Sequence, residues 1–540
     1  MAPVVYFNAR VFTASEPEWA EAFVVDSERI VYVGDELTAR RVAGGDCLEV
    51  DLGGRTVLPG FVEAHAHILA TGEAVGSVDL SGSRDLAEIQ QRIADWAASH
   101  PASPRVKALG WNPAMVPGGR PTRQQLDAIV SDRPVYAQSF DFHSIWLNSA
   151  ALSEVGIDRN SVAPSGGAIS FDPETGEATG YVDETAVQAL VFPVLDRVAT
   201  EADRDAHLMA ALRGYRETGV TASVDMSFGE TDLVALVNAE RAGTLTARIA
   251  AHWIVRHSED LAENLAQVAR AAELASLHNS PWFRVTGIKI VVDGTVDGCT
   301  AALGEPYANG EMPGPIWPLS DLAPVVAAAD AAGLQVAMHA IGDEAVRIAI
   351  EAVEYAVLSN GPRPRRHRIE HLEVVTPAEI SRLAALEIVA SMQPVHADPA
   401  IQENWSSVLG DARVERGFPW PEMTAAGARL AFGTDSPTAP YPPLSNMFVA
   451  ATRRSASDSS LAPNIERYAV PLADAIRHAT HDSAWACKAE EQFGRVAAGL
   501  YADFIVLDRN IFETPVDELL DAKVVRTVVG GREVYAHEQI

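Results

Sequence analysis

Histidine, lysine and aspartate side chains that can bind a metal ion recur at the ends of apolar segments. His65 and His67 close the run GFVEAHAHIL, residues 60–69. Residues i and i+2 of a strand point to the same face, so both imidazoles can reach one cation. Alone, the pair is more typical of ordinary polar residues at a strand end. The metal hypothesis therefore depends on the other segments.

Three further apolar segments each end in a possible ligand. VAMHAIGD contains His339, HRIEHLE contains His371 and LAFGTDSP contains Asp435, each where a strand is predicted to end. Each alone has an ordinary interpretation, such as a capped histidine or an aspartate that makes a turn. Together with the first pair they supply four imidazoles and a carboxylate. These ligands favour Zn²⁺, with Mn²⁺, Fe²⁺ or Ni²⁺ as alternatives.

Lys289 is unusual because it lies between two isoleucines in GIKIVVDGT. An ammonium group in an apolar setting is costly when nothing compensates its charge. Lys289 therefore pairs with an acid such as Asp293, or is neutral, or is chemically modified.

These residues lie on a repeated strand-then-helix pattern. Eight apolar segments predict strands at residues 56–65, 219–226, 246–255, 283–292, 334–340, 367–372, 387–393 and 428–435. Eight such repeats indicate an α/β protein with a (β/α)8 barrel, in which function lies at the carboxyl ends of the strands.

The two chain ends and one long insertion lie outside this repeat. Alternating β-branched segments in residues 1–56 and 491–540 predict one small sheet domain built from both ends of the chain. Residues 57–490 then form the barrel, with an inserted subdomain at about residues 72–215, after the first barrel strand.

The net charge, the apolar runs and the cysteines limit which partners and which kinds of site are expected. The chain has 540 residues and a formal charge of −31, which argues against nucleic acid or an anionic membrane surface as partners. No apolar run approaches the roughly 20 residues of a spanning helix, and MAPVVYFNARVF has no basic region followed by an apolar stretch, so we expect a cytoplasmic protein. Cys47, Cys299 and Cys487 are far apart, which argues against a thiolate zinc site.

The order of these motifs resembles the amidohydrolase superfamily, and within it the amidohydrolase-3 (YtcJ-like) branch. The matching segments are LPGFVEAHAHI, IKIVVDGTVDGCTAAL, MHAIGD, RIEHLE, FGTDSP and AAGLYADFIVLD. The resemblance implies either two metal ions with an N6-carboxylated Lys289 or one metal ion with an unmodified residue, and it makes the chain ends a small β-sandwich. It also suggests a homodimer. The implied ligands are His65, His67, Lys289, His339, His371 and Asp435.

The same resemblance implies a hydrolase for carbon–nitrogen bonds other than peptide bonds. A divalent cation activates water, and Asp435 moves the proton from water to the leaving nitrogen. We expect a small, fairly apolar substrate, such as an N-substituted formamide, N-acyl amine, carbamate or cyclic amide. Trp111, His143 and His396 are the predicted substrate-binding residues. Asp343 either accepts a hydrogen bond that orients His339 or is an ordinary carboxylate at a helix start.

Other functions fit the same ligands. An esterase, an isomerase or a decarboxylase would need the same metal centre, and an inactive scaffold would keep only the fold. The segment IKIVVDGTVDGCTAAL also departs from the family pattern, because Asp297 and Cys299 stand where the family commonly has small or basic residues. A relative's substrate therefore does not transfer directly to this chain.

Overall fold

The structure, a computed structural model, describes residues 2–112, 115–139, 144–164, 167–184, 186–402 and 404–537. It forms two compact units, residues 1–68 with 212–540, and residues 69–211.

The first unit contains an eight-stranded parallel sheet. Its strands, in chain order and in order around the sheet, are β1 (Phe61–Ala66), β2 (Val220–Phe228), β3 (Arg248–Ile254), β4 (Phe283–Val291), β5 (Gln335–Ala340), β6 (Arg368–His371), β7 (Val389–Met392) and β8 (Leu430–Phe432). The Asp435 amide donates to His65 O (2.7 Å) and the His67 amide donates to Ser436 O (3.0 Å), which joins the end of β1 to the segment after β8. The predicted (β/α)8 barrel is confirmed.

Helices follow or separate the barrel strands. Those of the barrel are Glu230–Ala242, Leu261–Leu277, Leu319–Ala331, Asp343–Asn360, Pro377–Ala385, Trp405–Leu409, Asp411–Val414, Trp420–Ala425, Pro443–Thr452, Leu472–His478 and His481–Ala486, with 3₁₀ turns at Pro394–Ala397 and Glu466–Tyr468.

The chain ends form two further sheets in this unit. The four-stranded sheet has the order Arg29–Gly34, Ala22–Asp26, Val4–Phe7, Leu48–Asp51, and the six-stranded sheet has the order Arg532–Ala536, Val524–Val529, Phe504–Leu507, Thr56–Pro59, Arg10–Phe12, Trp19–Ala20. A helix at Glu36–Ala43 and a 3₁₀ turn at Val516–Asp521 accompany them. Tyr6 and Phe23 of the first sheet share one buried core with Val57 and Phe504 of the second, so the sheets form the expected β-sandwich.

The predicted strand at residues 56–65 is two strands. Thr56–Pro59 belongs to the sandwich and β1 to the barrel, with Gly60 between them. Proline has no amide donor to continue a ladder. A Cβ at Gly60 would lie 2.1 Å from Thr221 Oγ1, so only glycine fits where the chain passes from one sheet to the other.

A buried ion pair connects the barrel to the sandwich. Arg248 of β3 donates from Nε to Asp503 Oδ2 (2.6 Å), and both side chains are almost fully enclosed. The guanidinium also lies 4.0 Å from the ring centroid of Tyr501 and 4.7 Å from that of Trp282. Polar and aromatic contacts thus fix the charge at the base of β3.

The second unit is built on a six-stranded mixed sheet. Its strand order is Gly167–Phe171, Ala178–Glu184, Ser144–Leu147, Val135–Ser139, Val106–Trp111, Val78–Asp79. Helical segments of this part of the chain lie at Ile68–Gly76, Leu86–Ser99, Pro117–Gly119, Arg123–Asp127, Ser149–Val155, Val187–Val191, Phe192–Val198 and Glu201–Thr218, where the first and last extend into the barrel unit. Within the described ranges, no helix has the length and apolar character needed to cross a membrane.

Candidate metal centre

His65 lies at the end of β1 and is oriented by a buried carboxylate. Its Nδ1 donates to Glu370 Oε2 (2.8 Å). Arg368 donates to the same carboxylate from Nε (2.6 Å) and Nη2 (3.0 Å). Burial raises the pKa of Glu370, but Arg368 and His65 outweigh burial and hold that pKa well below its usual range. Glu370 therefore remains a carboxylate that fixes the His65 tautomer and leaves Nε2 available to a metal.

Asp435, three residues after β8, contacts both histidines of β1. Its Oδ1 lies 2.9 Å from His67 Nε2 and 3.3 Å from His65 Nε2. Burial raises the pKa of Asp435, yet the two imidazoles lower it well below its usual range. Asp435 is thus an ionised carboxylate placed beside two possible metal ligands.

His339 and His371 complete the imidazole set, with ring centroids 4.4 Å apart. His339 Nε2 donates to Gly294 O (3.1 Å), which leaves Nδ1 available. Burial lowers the pKa of His339 to about 3 and lowers that of His371 well below its usual range. Both rings are therefore neutral near pH 7, as metal ligands must be.

Lys289 of β4 is almost fully buried and points its Nζ at His65 Nε2, 3.4 Å away. Burial lowers the pKa of Lys289 to about 8, and the charges of Glu370 and Asp435 oppose that shift. Asp293, the acid suggested by the sequence, instead accepts hydrogen bonds from the amides of Ile341 and Gly342 (3.0 and 2.9 Å). The partners of Lys289 are consequently members of the candidate centre.

Glu63 connects the end of β1 to the segment that follows β8. It accepts hydrogen bonds from the His65 amide (3.0 Å) and from the Thr434 amide and hydroxyl (both 2.8 Å). Burial raises the pKa of Glu63 to about 7. A Cβ at Gly433 would lie 2.4 Å from His65 N, so the two strands approach closely because residue 433 is glycine.

The donor set fits a divalent cation. One ligand atom each from His65, His371 and Asp435 lies within 4.8 Å of the others, and all three residues are buried. Imidazole and carboxylate ligands converging at the carboxyl end of a barrel suit Zn²⁺ and its neighbours.

The predicted substrate-binding residues have different surroundings. His396, on the turn after β7, has Nδ1 3.4 Å from Glu373 Oε1 and Nε2 3.9 Å from Asp435 Oδ2, so it lies beside the centre. Trp111 is enclosed in the core of the second unit, where its indole N–H donates to Ala137 O (2.8 Å). His143 lies outside the described residues.

Asp343 is the first residue of the helix Asp343–Asn360, and its Oδ1 accepts from the Gly304 amide (2.8 Å). The carboxylate beside His339 is Asp293, with Oδ1 3.5 Å from His339 Nε2. This geometry favours the helix-start interpretation of Asp343.

Sequence reasoning did not single out Glu63, Glu370 or Glu373. The available signal was a charged residue two positions before a candidate ligand in a buried strand, as in Glu63 before His65. Glu373 follows His371 at the same spacing.

Comparisons with known proteins agree with this geometry. A family model described as "Amidohydrolase family" matches residues 48–535. The chain is 30% identical to the "Putative amidohydrolase YtcJ" of Bacillus subtilis (strain 168), over 96% of this chain and 97% of that protein. It is 27% identical to the "N-substituted formamide deformylase" of Arthrobacter pascens, over 98% of each chain.

A solved structure extends the likeness to the fold. An uncharacterized metal-dependent hydrolase from Pyrococcus horikoshii OT3 superimposes with a TM-score of 0.79 at 25% identity, over 95% of this chain and 99% of that chain. The family match, the relatives and the barrel-end histidines agree, and the chain belongs to the amidohydrolase family of metal-dependent hydrolases.

Proposed function

We propose that the protein hydrolyses the carbon–nitrogen bond of a small, fairly apolar amide. The observation that carries the proposal is the convergence of His65, His371 and Asp435 ligand atoms within 4.8 Å, with Lys289 Nζ 3.4 Å from His65 Nε2. The Arthrobacter pascens relative supports an amide as substrate, because its name describes removal of a formyl group from a substituted nitrogen. The substrate class includes N-substituted formamides, N-acyl amines, carbamates and cyclic amides.

His65, His67, Lys289, His339, His371 and Asp435 would hold one or two divalent cations, with Zn²⁺ the best match to the ligands. Such a cation supplies a nucleophile from water at neutral pH and polarises the substrate carbonyl. Glu370 keeps His65 in the ligating tautomer, and Glu63 holds the His65 backbone in place.

We also propose that Lys289 is carboxylated, and its surroundings support this modification. Its pKa, lowered by burial to about 8, leaves part of the amine neutral near pH 7 to 8. The neutral amine adds to CO₂ and releases one proton, which gives a carbamate with two oxygen ligands. The modification would replace a buried ammonium beside His65 with an anion that a cation stabilises.

Asp435 is the proposed proton carrier. Its low pKa keeps it ionised, and its two oxygens face different groups: Oδ1 faces His67 and His65, whereas Oδ2 faces His396. Asp435 takes the proton from the attacking water and delivers it to the leaving nitrogen. His396, held by Glu373, would contact the substrate.

Trp111 and His143 remain predicted substrate-binding residues, and the homodimer and cytoplasmic location also stay predictions.

Elemental analysis combined with product analysis tests the proposal. Purified protein is expected to hold one to two equivalents of metal and to release amine from a panel of formamides, anilides and carbamates. His65→Ala should lose metal and activity, and Asp435→Ala should lose activity. Glu351→Gln, at a half-buried position of the helix Asp343–Asn360 that pairs with Arg347, should change neither. Protein without metal that stays inactive after addition of Zn²⁺ or Mn²⁺ with bicarbonate would refute the hydrolase, and alcohol release from esters alone would refute amide specificity.

A further inference from the structure

A second set of metal-ligand side chains lies next to the candidate centre. One ligand atom each from His371, Glu373 and His396 lies within 4.8 Å of the others. His371 ends β6, Glu373 follows two residues later, and His396 lies on the 3₁₀ turn after β7. Only His371 also belongs to the centre described above, so Glu373 and His396 define a separate position.

The geometry of this set suits a cation. Glu373 Oε1 and His396 Nδ1 are 3.4 Å apart, and the rings of His371 and His396 lie parallel, with centroids 5.9 Å apart. His371 is 2% exposed, and among the described residues its Nδ1 has no hydrogen-bond partner. Nδ1 of His371 is therefore available as a metal ligand. Two imidazoles and one glutamate are also the protein ligands of a common class of zinc sites.

Charge around His396 also favours a cation. The carboxylates of Glu373, Asp435 and Asp297 all act on the His396 ring, and the nearest oxygen of Asp435 is 3.9 Å from its Nε2. Three acidic groups around one imidazole attract positive charge in a largely buried setting, where screening by water is weak.

We propose that His371, Glu373 and His396 form a second, weaker cation site that takes Zn²⁺ when the ion is in excess, and that the bound ion excludes the substrate. The site is weaker because the incoming ion must separate Glu373 from His396 and shares His371 with the main centre. Exclusion of substrate rests on the proposed function, in which His396 contacts the substrate. Binding of the additional ion is independent of the proposed function.

Zinc stoichiometry tests the site directly. Holoenzyme, Glu373→Gln, His396→Gln and the control Glu351→Gln are dialysed against buffers of increasing free Zn²⁺, and bound zinc is measured without substrate. The wild-type protein and the control should gain one equivalent at high free Zn²⁺ that both site variants lack. Glutamine at 373 is isosteric with glutamate, and melting curves of each variant verify folding.

Kinetics test the consequence of binding. For the wild-type protein, excess Zn²⁺ should raise the apparent KM about tenfold with little change in kcat, whereas for each site variant the KM should stay within about twofold of its own value at low Zn²⁺. An additional equivalent that persists in Glu373→Gln and His396→Gln, or that never forms in the wild-type protein, would overturn the site. Failure of the proposed function can be distinguished from failure of the second site. If the proposed function is wrong, no amine is released at low Zn²⁺, whereas the zinc stoichiometry still shows whether the second site exists.

Discussion

Replacing Glu370 with glutamine separates two roles of one buried carboxylate. Glu370 and Arg368 are both fully enclosed, and the pair is joined by hydrogen bonds of 2.6 and 3.0 Å. Removing one partner of a buried ion pair costs about 3 to 5 kcal/mol, because the other charge stays buried without compensation. The variant should therefore unfold at a clearly lower temperature and denaturant concentration than the wild-type protein.

The second role is orientation of His65. The 2.8 Å hydrogen bond from His65 Nδ1 to Glu370 Oε2 fixes the tautomer that leaves Nε2 available. Loss of such a partner typically lowers metal affinity about 10- to 100-fold, equivalent to about 1.4 to 2.7 kcal/mol. This loss is smaller than the expected stability loss, and the two are measured separately.

The assay is chelator competition for bound metal at a temperature where each variant is folded, alongside urea unfolding of the metal-free protein. The double variant Arg368→Met/Glu370→Gln removes both charges, so it should recover part of the stability but none of the metal affinity. Recovery is partial because Arg368 also donates to Ala64 O (2.7 Å) and Ser391 Oγ (2.6 Å). Metal affinity of Glu370→Gln within twofold of wild type would refute the orienting role.

Two predictions concern stability away from the metal centre. Asp503→Asn leaves the buried Arg248 guanidinium without its counter-charge, so the free energy of unfolding should fall by about 3 to 5 kcal/mol. Urea unfolding measures this change, and a loss below about 1 kcal/mol would contradict the burial argument. Burial raises the pKa of Asp482, but two neighbouring histidines outweigh it and lower that pKa to about 2. Since the unfolded pKa is about 3.9, Asp482 stabilises the fold above about pH 4 and loses this effect as the pH falls toward 2. Asp482→Asn should thus be less stable near pH 5, on the order of 2 kcal/mol, and the difference from wild type should shrink below pH 4; a difference independent of pH would contradict the assigned shift.

Much of the barrel could be predicted from the sequence because its strands are short apolar runs separated by helical stretches. The carboxyl ends of parallel barrel strands meet at one rim, so the five ligands at four strand ends could be grouped from the order of the motifs alone. The single-strand prediction for residues 56–65 overlooked Pro59 and Gly60, a pair that commonly interrupts a strand. The pair does not show, however, that the two halves belong to different sheets. That assignment depends on Thr221, which is distant in the sequence.

The supporting carboxylates were not predictable for a related reason. Period-two alternation places Arg368 and Glu370 on one face of β6, but the local sequence does not show whether that face is inside the barrel. The answer depends on the arrangement of all the barrel strands, which brings Glu370 to His65 across 305 positions of sequence although β6 and β1 are not paired. A charged pair in an apolar strand is unusual, yet only the fold shows that Glu370 of this pair contacts His65.

His371 shows most clearly why spacing alone is insufficient. Glu370 and His371 are adjacent, so regular alternation would send their side chains to opposite faces of β6. Both nevertheless approach His65: Glu370 through its carboxylate and His371 with its ring centroid 5.0 Å from that of His65. The backbone of His371 has φ 79°, and that of Asp435 has φ 59°, conformations that L-residues seldom adopt. Strained backbone is retained where the surrounding structure enforces it, commonly at functional sites. The strand end is thus bent so that consecutive residues serve one centre, with Glu370 orienting one ligand and His371 supplying another.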